Sequence, residues 1–216
     1  MQLRLGTAGY AYPAWVGGFY PRGTTQHDML PHYATKFAAV EINSSFYRPP
    51  TPEQVAKMVR RSPAGFGFTL KVPRSVSHDR SDDDIPAFRL AADHMSAAGR
   101  LLGLILQVPE TFRNTADNRR WLVQTGDALK PHRVAVEFRH RSWDAPNLSE
   151  WMEHIGTDVV SVGVPDIPTL FPRCALRTGA CTRGSTPKTR TTGTRTVSCV
   201  TTTTTPTQPY ESGPTG

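Results

Sequence analysis

Val40-Glu41-Ile42-Asn43-Ser44-Ser45-Phe46-Tyr47, followed by Pro49-Pro50, alternates apolar and polar residues over its first four positions. Successive side chains of a strand point to opposite faces, so Val40 and Ile42 suit a hydrophobic layer while Glu41 and Asn43 face the other way. The same two-sided pattern returns in later segments. One face is expected to hold Val40 and Ile42, Phe68 and Leu70, Leu104 and Leu106, and Val134, Val136 and Phe138. The opposite face carries Glu41, Asn43, Lys71, Gln107, Glu137 and Arg139, always near the C-terminal end of its apolar run.

Reading outward from that stretch, strands are expected over 3–6, 40–46, 66–72, 101–108, 133–139 and 159–164, the last reaching Pro165-Asp166. Helical spacing of apolar residues fills the intervals 28–37, from Thr51 with Glu53 near its start, 82–95, 115–129 and 148–155. The acidic run Asp82-Asp83-Asp84 suits the positive end of a helix dipole. Strict alternation of strand and helix implies parallel strands joined by right-handed crossovers. An open doubly wound sheet and a closed barrel both satisfy that rule. No Gly-x-Gly-x-x-Gly or phosphate-loop motif follows the first strand, which weakens the nucleotide-binding open sheet. Four strands delivering polar groups to the same end is what a barrel with its site at the C-terminal mouth requires. The expected fold is an α/β TIM-type (β/α)8 barrel, incomplete, with about six units legible.

The chain has 216 residues, 38% of them hydrophobic, and a mean hydropathy of −0.41. It contains no apolar run of about 18 residues, the length a membrane span needs. No basic segment followed by an apolar stretch opens it, so no secretory leader is expected and the cytoplasm is the default location. The net charge of +7 is a weak pointer to nucleic acid, because residues 1–173 carry 20 basic and 17 acidic side chains. Cys174, Cys181 and Cys199 are odd in number and fit no zinc spacing.

After Arg173 the composition changes abruptly. Threonine supplies 15 of the last 43 residues, including Thr201 to Thr205, and apolar periodicity ends. The expected division is a barrel domain over 1–172 and a Thr-rich, disordered tail over 173–216. Threonine codons all begin AC, so moving the frame back one base turns each Thr-Thr junction into a codon for Tyr, Asp, Asn or His. Shifted from about Ala180 onward, the tail becomes compatible with a seventh barrel strand and its loop. This suggests a one-base frameshift between Arg173 and Ala180.

Several motifs in order carry a family resemblance: Gly6-Thr7-Ala8-Gly9-Tyr10-Ala11-Tyr12-Pro13-Ala14-Trp15, Phe19-Tyr20-Pro21, the stretch from Val40 to Tyr47, Lys71-Val72-Pro73 with His78, Gln107-Val108-Pro109, and Val136-Glu137-Phe138-Arg139-His140 with Ser142-Trp143. Over residues 1–172 the chain resembles the domain of unknown function 72, or YecE-like, family. The resemblance implies a TIM-type barrel and no established activity. The out-of-frame peptide resembles the family's next segment, whose in-frame residues are absent from this chain.

Glu41 and Glu137 are candidates for general acid and base, or for joint binding of a divalent metal with Asn43 and Gln107. The structural alternative is a charge network, Glu41 with Lys71 and Glu137 with Arg139, since buried charges need partners. Lys71 suits a Schiff base, an anion contact or a plain charge partner. His78, in a Ser-rich loop after the third strand, and His140 suit metal ligation, proton shuttling or simple solvation. No zinc motif is present, so no metal site is assigned and the cofactor stays open. Tyr10, Tyr12, Trp15, Phe46, Tyr47 and Trp143 suit an aromatic rim that stacks a sugar or base, or equally the packing of loops on the barrel. Asp166, closing the sixth strand, completes the binding set; Ser44 and Ser45 read as turn residues. Three classes follow: a hydrolase or lyase on a small polar or phosphorylated substrate; a nucleic-acid or nucleotide-binding barrel akin to metal-dependent nucleases, through Arg48, Arg74, Arg139 and Arg141; and a truncated product without function.

Overall fold

In the computed structural model, which describes residues 4–161, 168–171 and 198–200, strands and helices alternate along the chain. The order is β1 (Arg4–Gly6), α1 (Gln26–Tyr33), β2 (Ala39–Ile42), α2 (Pro52–Arg60), β3 (Gly67–Lys71), α3 (Arg74–Ser77), α4 (Ile85–Ala97), β4 (Leu101–Gln107), α5 (Ala116–Ala128), β5 (Val134–Glu137), α6 (Leu148–His154), β6 (Thr157–Val159) and β7 (Ser198–Val200). Strands β2 to β6 form one parallel sheet in sequence order. β1 lies beside β2 through a parallel bridge between Ala8 and Glu41, the Glu41 N–H donating to Thr7 O at 3.0 Å and the Gly9 N–H to Glu41 O at 2.8 Å. On its other side β1 pairs in parallel with β7. Five successive β/α units and a sixth strand, β6, make up the described part of a TIM-type barrel wall.

Register explains why the two-sided pattern works. Val40 stands opposite Phe68, Ile42 opposite Leu70, Leu70 opposite Leu104, Leu104 opposite Val134 and Leu106 opposite Val136. All are buried, and the core they belong to includes Val55 of α2, Phe88 and Met95 of α4, Leu122 of α5 and Met152 of α6. Burying each such side chain contributes about 1.5–3 kcal/mol against exposure. The alternate residues fall in register too: Glu41 with Thr69, Lys71 with Ile105, Gln107 with Glu137. Helix α2 opens with a capping box in which Thr51 accepts from the Gln54 N–H and Gln54 Oε1 accepts from the Thr51 N–H at 2.9 Å.

Several boundaries differ from the sequence expectation. β2 stops at Ile42, and Asn43–Phe46 curls into a 3-10 turn. The Ser45 hydroxyl lies 2.6 Å from Ile42 O and 2.7 Å from Lys71 O, so its single proton ties the turn to the strand ends. The Ser-rich loop after β3 is the helical turn α3, begun by Pro73 and closed at His78. β6 begins at Thr157, ahead of the expected 159, and its expected end with Asp166 lies outside the described residues. The Thr-rich stretch also lies outside them, apart from β7.

Candidate functional site at the C-terminal mouth of the barrel

Glu41 leaves β2 on the face opposite Val40 and Ile42 and is only 8% exposed. Burial pushes its carboxyl above the usual glutamate range; the Lys71 cation pulls it back, Glu137 adds to the rise and Arg139 opposes it. These four side chains from β2, β3 and the end of β5 therefore share one interior. Glu137 closes β5 and is held by the Arg139 guanidinium at 2.5 Å. Gln107, the last residue of β4, lies opposite Glu137 in register.

Three side-chain polar atoms are buried without a hydrogen-bond partner among the described residues: Asn43 Oδ1 in the turn after β2, Thr69 Oγ1 opposite Glu41 in register, and Arg139 Nε. Buried polar groups are nearly always paired, so these atoms have unspent hydrogen-bonding capacity. Thr69 was not singled out from the sequence, although its place between Phe68 and Leu70 puts it on the Glu41 face.

A second set adjoins Lys71. Its Nζ lies 5.1 Å from the centre of the Phe46 ring, whose edge-to-face neighbours are His78 at 5.2 Å and Tyr47 at 5.3 Å. His78 Nδ1 is 2.8 Å from Ser77 Oγ, and burial, reinforced by the Arg74 cation, lowers its pKa and so favours the neutral ring. His140 Nδ1 accepts the Ser142 N–H at 3.0 Å, which leaves the proton of a neutral imidazole on Nε2. The backbone beside it is covered by a returning segment: His140 bridges Leu170 and the Phe171 N–H donates to Arg139 O at 2.6 Å.

The remaining aromatic candidates are placed otherwise. Tyr12 and Trp15 contact each other at 4.7 Å, and Trp15 packs on Phe19 and Tyr20 in the loop before α1. Tyr10 is partly buried beside Tyr33, and burial raises its phenol pKa. Tyr47 is 83% exposed. Trp143 is fully buried, stacked on Phe138 at 4.4 Å, with its indole N–H donating to Phe112 O at 2.8 Å. Among the described residues no three His, Cys, Asp or Glu side chains gather to hold a metal ion. No helix among them is long and apolar enough to cross a membrane.

A family model described as "Protein of unknown function DUF72" matches residues 4–207, beyond the reach of the motifs quoted above. The UPF0759 protein YunF of Bacillus subtilis is 24% identical over 170 residues, 70% of this chain and 60% of its own length. The UPF0759 protein YecE of Escherichia coli K12 is 30% identical over 114 residues, 51% of this chain and 39% of its own. The chain thus spans less than two thirds of the length of either relative. A crystal structure of a DUF72 family protein from Thermotoga maritima aligns with a TM-score of 0.71 at 29% identity, covering 80% of this chain and 69% of that one. One from Enterococcus faecalis gives 0.69 at 26% identity, covering 80% and 65%.

Proposed function

The chain belongs to the DUF72 family, whose members lend it no reaction, and from its own geometry we propose an enzyme of acid–base type at the barrel mouth. The reaction class is hydrolysis or elimination on a small polar or phosphorylated substrate. Glu41 is the proton donor, because burial favours its neutral form, and Glu137 is the carboxylate that accepts a proton. Lys71 and the free Nε edge of Arg139 bind the substrate's anionic group, while Asn43 Oδ1 accepts from a hydroxyl or amide. The observation that carries this reading is that two carboxylates and two cations share one interior, with unpartnered buried polar atoms on Arg139 itself and on Thr69 opposite Glu41. A small substrate is favoured over a nucleic acid because Arg74 already faces Asp79 at 3.6 Å and the site is recessed, with Glu41 only 8% exposed.

The test is a panel of phosphate esters, carboxylate esters and hydroxy acids assayed with the purified full chain across pH. A turned-over substrate should give a bell-shaped profile, and Glu41→Gln and Glu137→Gln should each lower the rate by roughly 10²–10⁴-fold with the fold intact. Wild-type rates in both variants, or no turnover across the panel, would overturn the proposal.

A further inference from the structure

A cavity of about 580 Å³, lined by none of those charged mouth residues, is walled by α1, α2 and the loops after β1 and β2. Its α2 wall is Gln54, Lys57 and Met58, and Arg61, capping the helix, continues their i, i+3, i+4, i+7 stripe. Between packed helices that stripe is ordinarily apolar. Here it presents two cations and an amide, and Arg48 adds a third cation from the loop. Among the described residues no aspartate or glutamate lines the cavity. Arg61 is mostly buried, its side chain 15% exposed, and its ion-pair contact to Asp28 is long at 3.9 Å. That carboxylate is itself exposed and already bound by Thr25 and His27. A guanidinium so far removed from water calls for a better counter-charge than this one. Tyr10, Leu30, Pro49 and Pro50 offer an aromatic face and apolar surface beside the cations, and Gln26, His27 and Ser44 complete the walls.

We infer that this groove is a second binding site, taking a small phosphate monoester that carries a flat ring. The phosphate sits among Arg48, Lys57 and Arg61, where charge-assisted hydrogen bonds to a dianion are strong. The ring lies against Tyr10 and the Pro49-Pro50 pair. A groove of this size encloses a ring and one phosphate, within the usual range for small-molecule sites. It is independent of the chemistry proposed for the mouth, since neither Glu41, Lys71, Glu137 nor Arg139 lines it.

The probes are phenyl phosphate, inorganic phosphate and phenol, titrated by calorimetry into the full chain at low ionic strength. Phenyl phosphate should bind best, inorganic phosphate more weakly and phenol least. Arg48→Gln and Lys57→Gln replace exposed side chains, so the melting temperature should hold while phenyl phosphate affinity falls about tenfold in each. Raising the salt should weaken binding in the same direction. Arg120→Gln, an exposed residue of α5 outside the groove, should leave this affinity unchanged. The inference fails if phenol binds as well as phenyl phosphate, if both groove variants keep wild-type affinity, if no probe binds, or if the loss appears only in Arg139→Gln, which would move the ligand to the barrel mouth.

Discussion

Arg139 holds Glu137 at 2.5 Å across a single intervening residue, and that residue, Phe138, points into the core. The strand period puts both charges on the interior face and leaves the glutamate side chain 13% exposed against 35% for the arginine. Removing the arginine alone strands a mostly buried carboxylate. Breaking a fully buried pair costs about 3–5 kcal/mol; at this partly open site Arg139→Gln should cost roughly 1–2 kcal/mol. The double variant Glu137→Gln, Arg139→Gln should recover part of that loss. Urea unfolding of the four proteins gives the coupling energy, and additive losses would show that the pair does not stabilise the fold.

Glu41 makes a prediction in pH. Its folded-state pKa is raised by burial, so the native state holds a proton that the unfolded chain gives up earlier. The stabilisation from that proton is complete in acid and is lost as pH rises through the unfolded and then the raised folded value. Glu41→Gln cannot ionise. Its melting temperature should track the wild type below about pH 4 and exceed it at about pH 8. Thermal melts across that interval check the sign: a variant less stable at alkaline pH would mean that the Lys71 contact outweighs burial.

The interior charges were legible from the sequence because a strand has period two and the chain repeats the same phase in β2, β3, β4 and β5. What resisted reading were features without a period. Asn43 continues the alternation of Glu41, so nothing periodic marks the end of β2; the cause is the Ser45 hydroxyl reaching Ile42 O and Lys71 O. α3 is four residues long, too short to show helical spacing, and only Pro73 ahead of it hinted at a helix start. Whether an aromatic residue lines a rim or fills a wall depends on neighbours distant in sequence, such as Phe112 for Trp143. The cavity between α1 and α2 likewise depends on how two helices sit, although its cationic stripe was present in the order of residues.

Gly6 marks where β1 meets β2. A Cβ there would stand 2.0 Å from Ala39 O, a backbone atom fixed by strand pairing. Relief requires the strands to separate, which would disturb the Ala38 N–H to Leu5 O bond beside it. Gly6→Ala should therefore destabilise by about 3 kcal/mol or more, at the upper end of overpacking costs. Gly23→Ala is the control, in a turn at φ 82° with open space around it, where only backbone strain of about 1 kcal/mol is expected. Denaturant midpoints of the two variants compare close approach with conformation, and equal losses would contradict the tight β1–β2 contact.

Trp143 distinguishes a wall residue from a rim residue. Its ring stacks between Phe138 at 4.4 Å and Phe112 at 5.5 Å, with Trp151 beyond at 6.1 Å, and none of its surface is exposed. Trp143→Ala should cost about 3–5 kcal/mol through the cavity it leaves. Trp143→Phe keeps most of the stack but removes the indole N–H from Phe112 O, a loss of about 1–3 kcal/mol when the carbonyl stays buried. Urea unfolding ranks the two. A ligand-stacking rim residue would behave oppositely, with either change costing under about 0.5 kcal/mol of stability, as surface substitutions do.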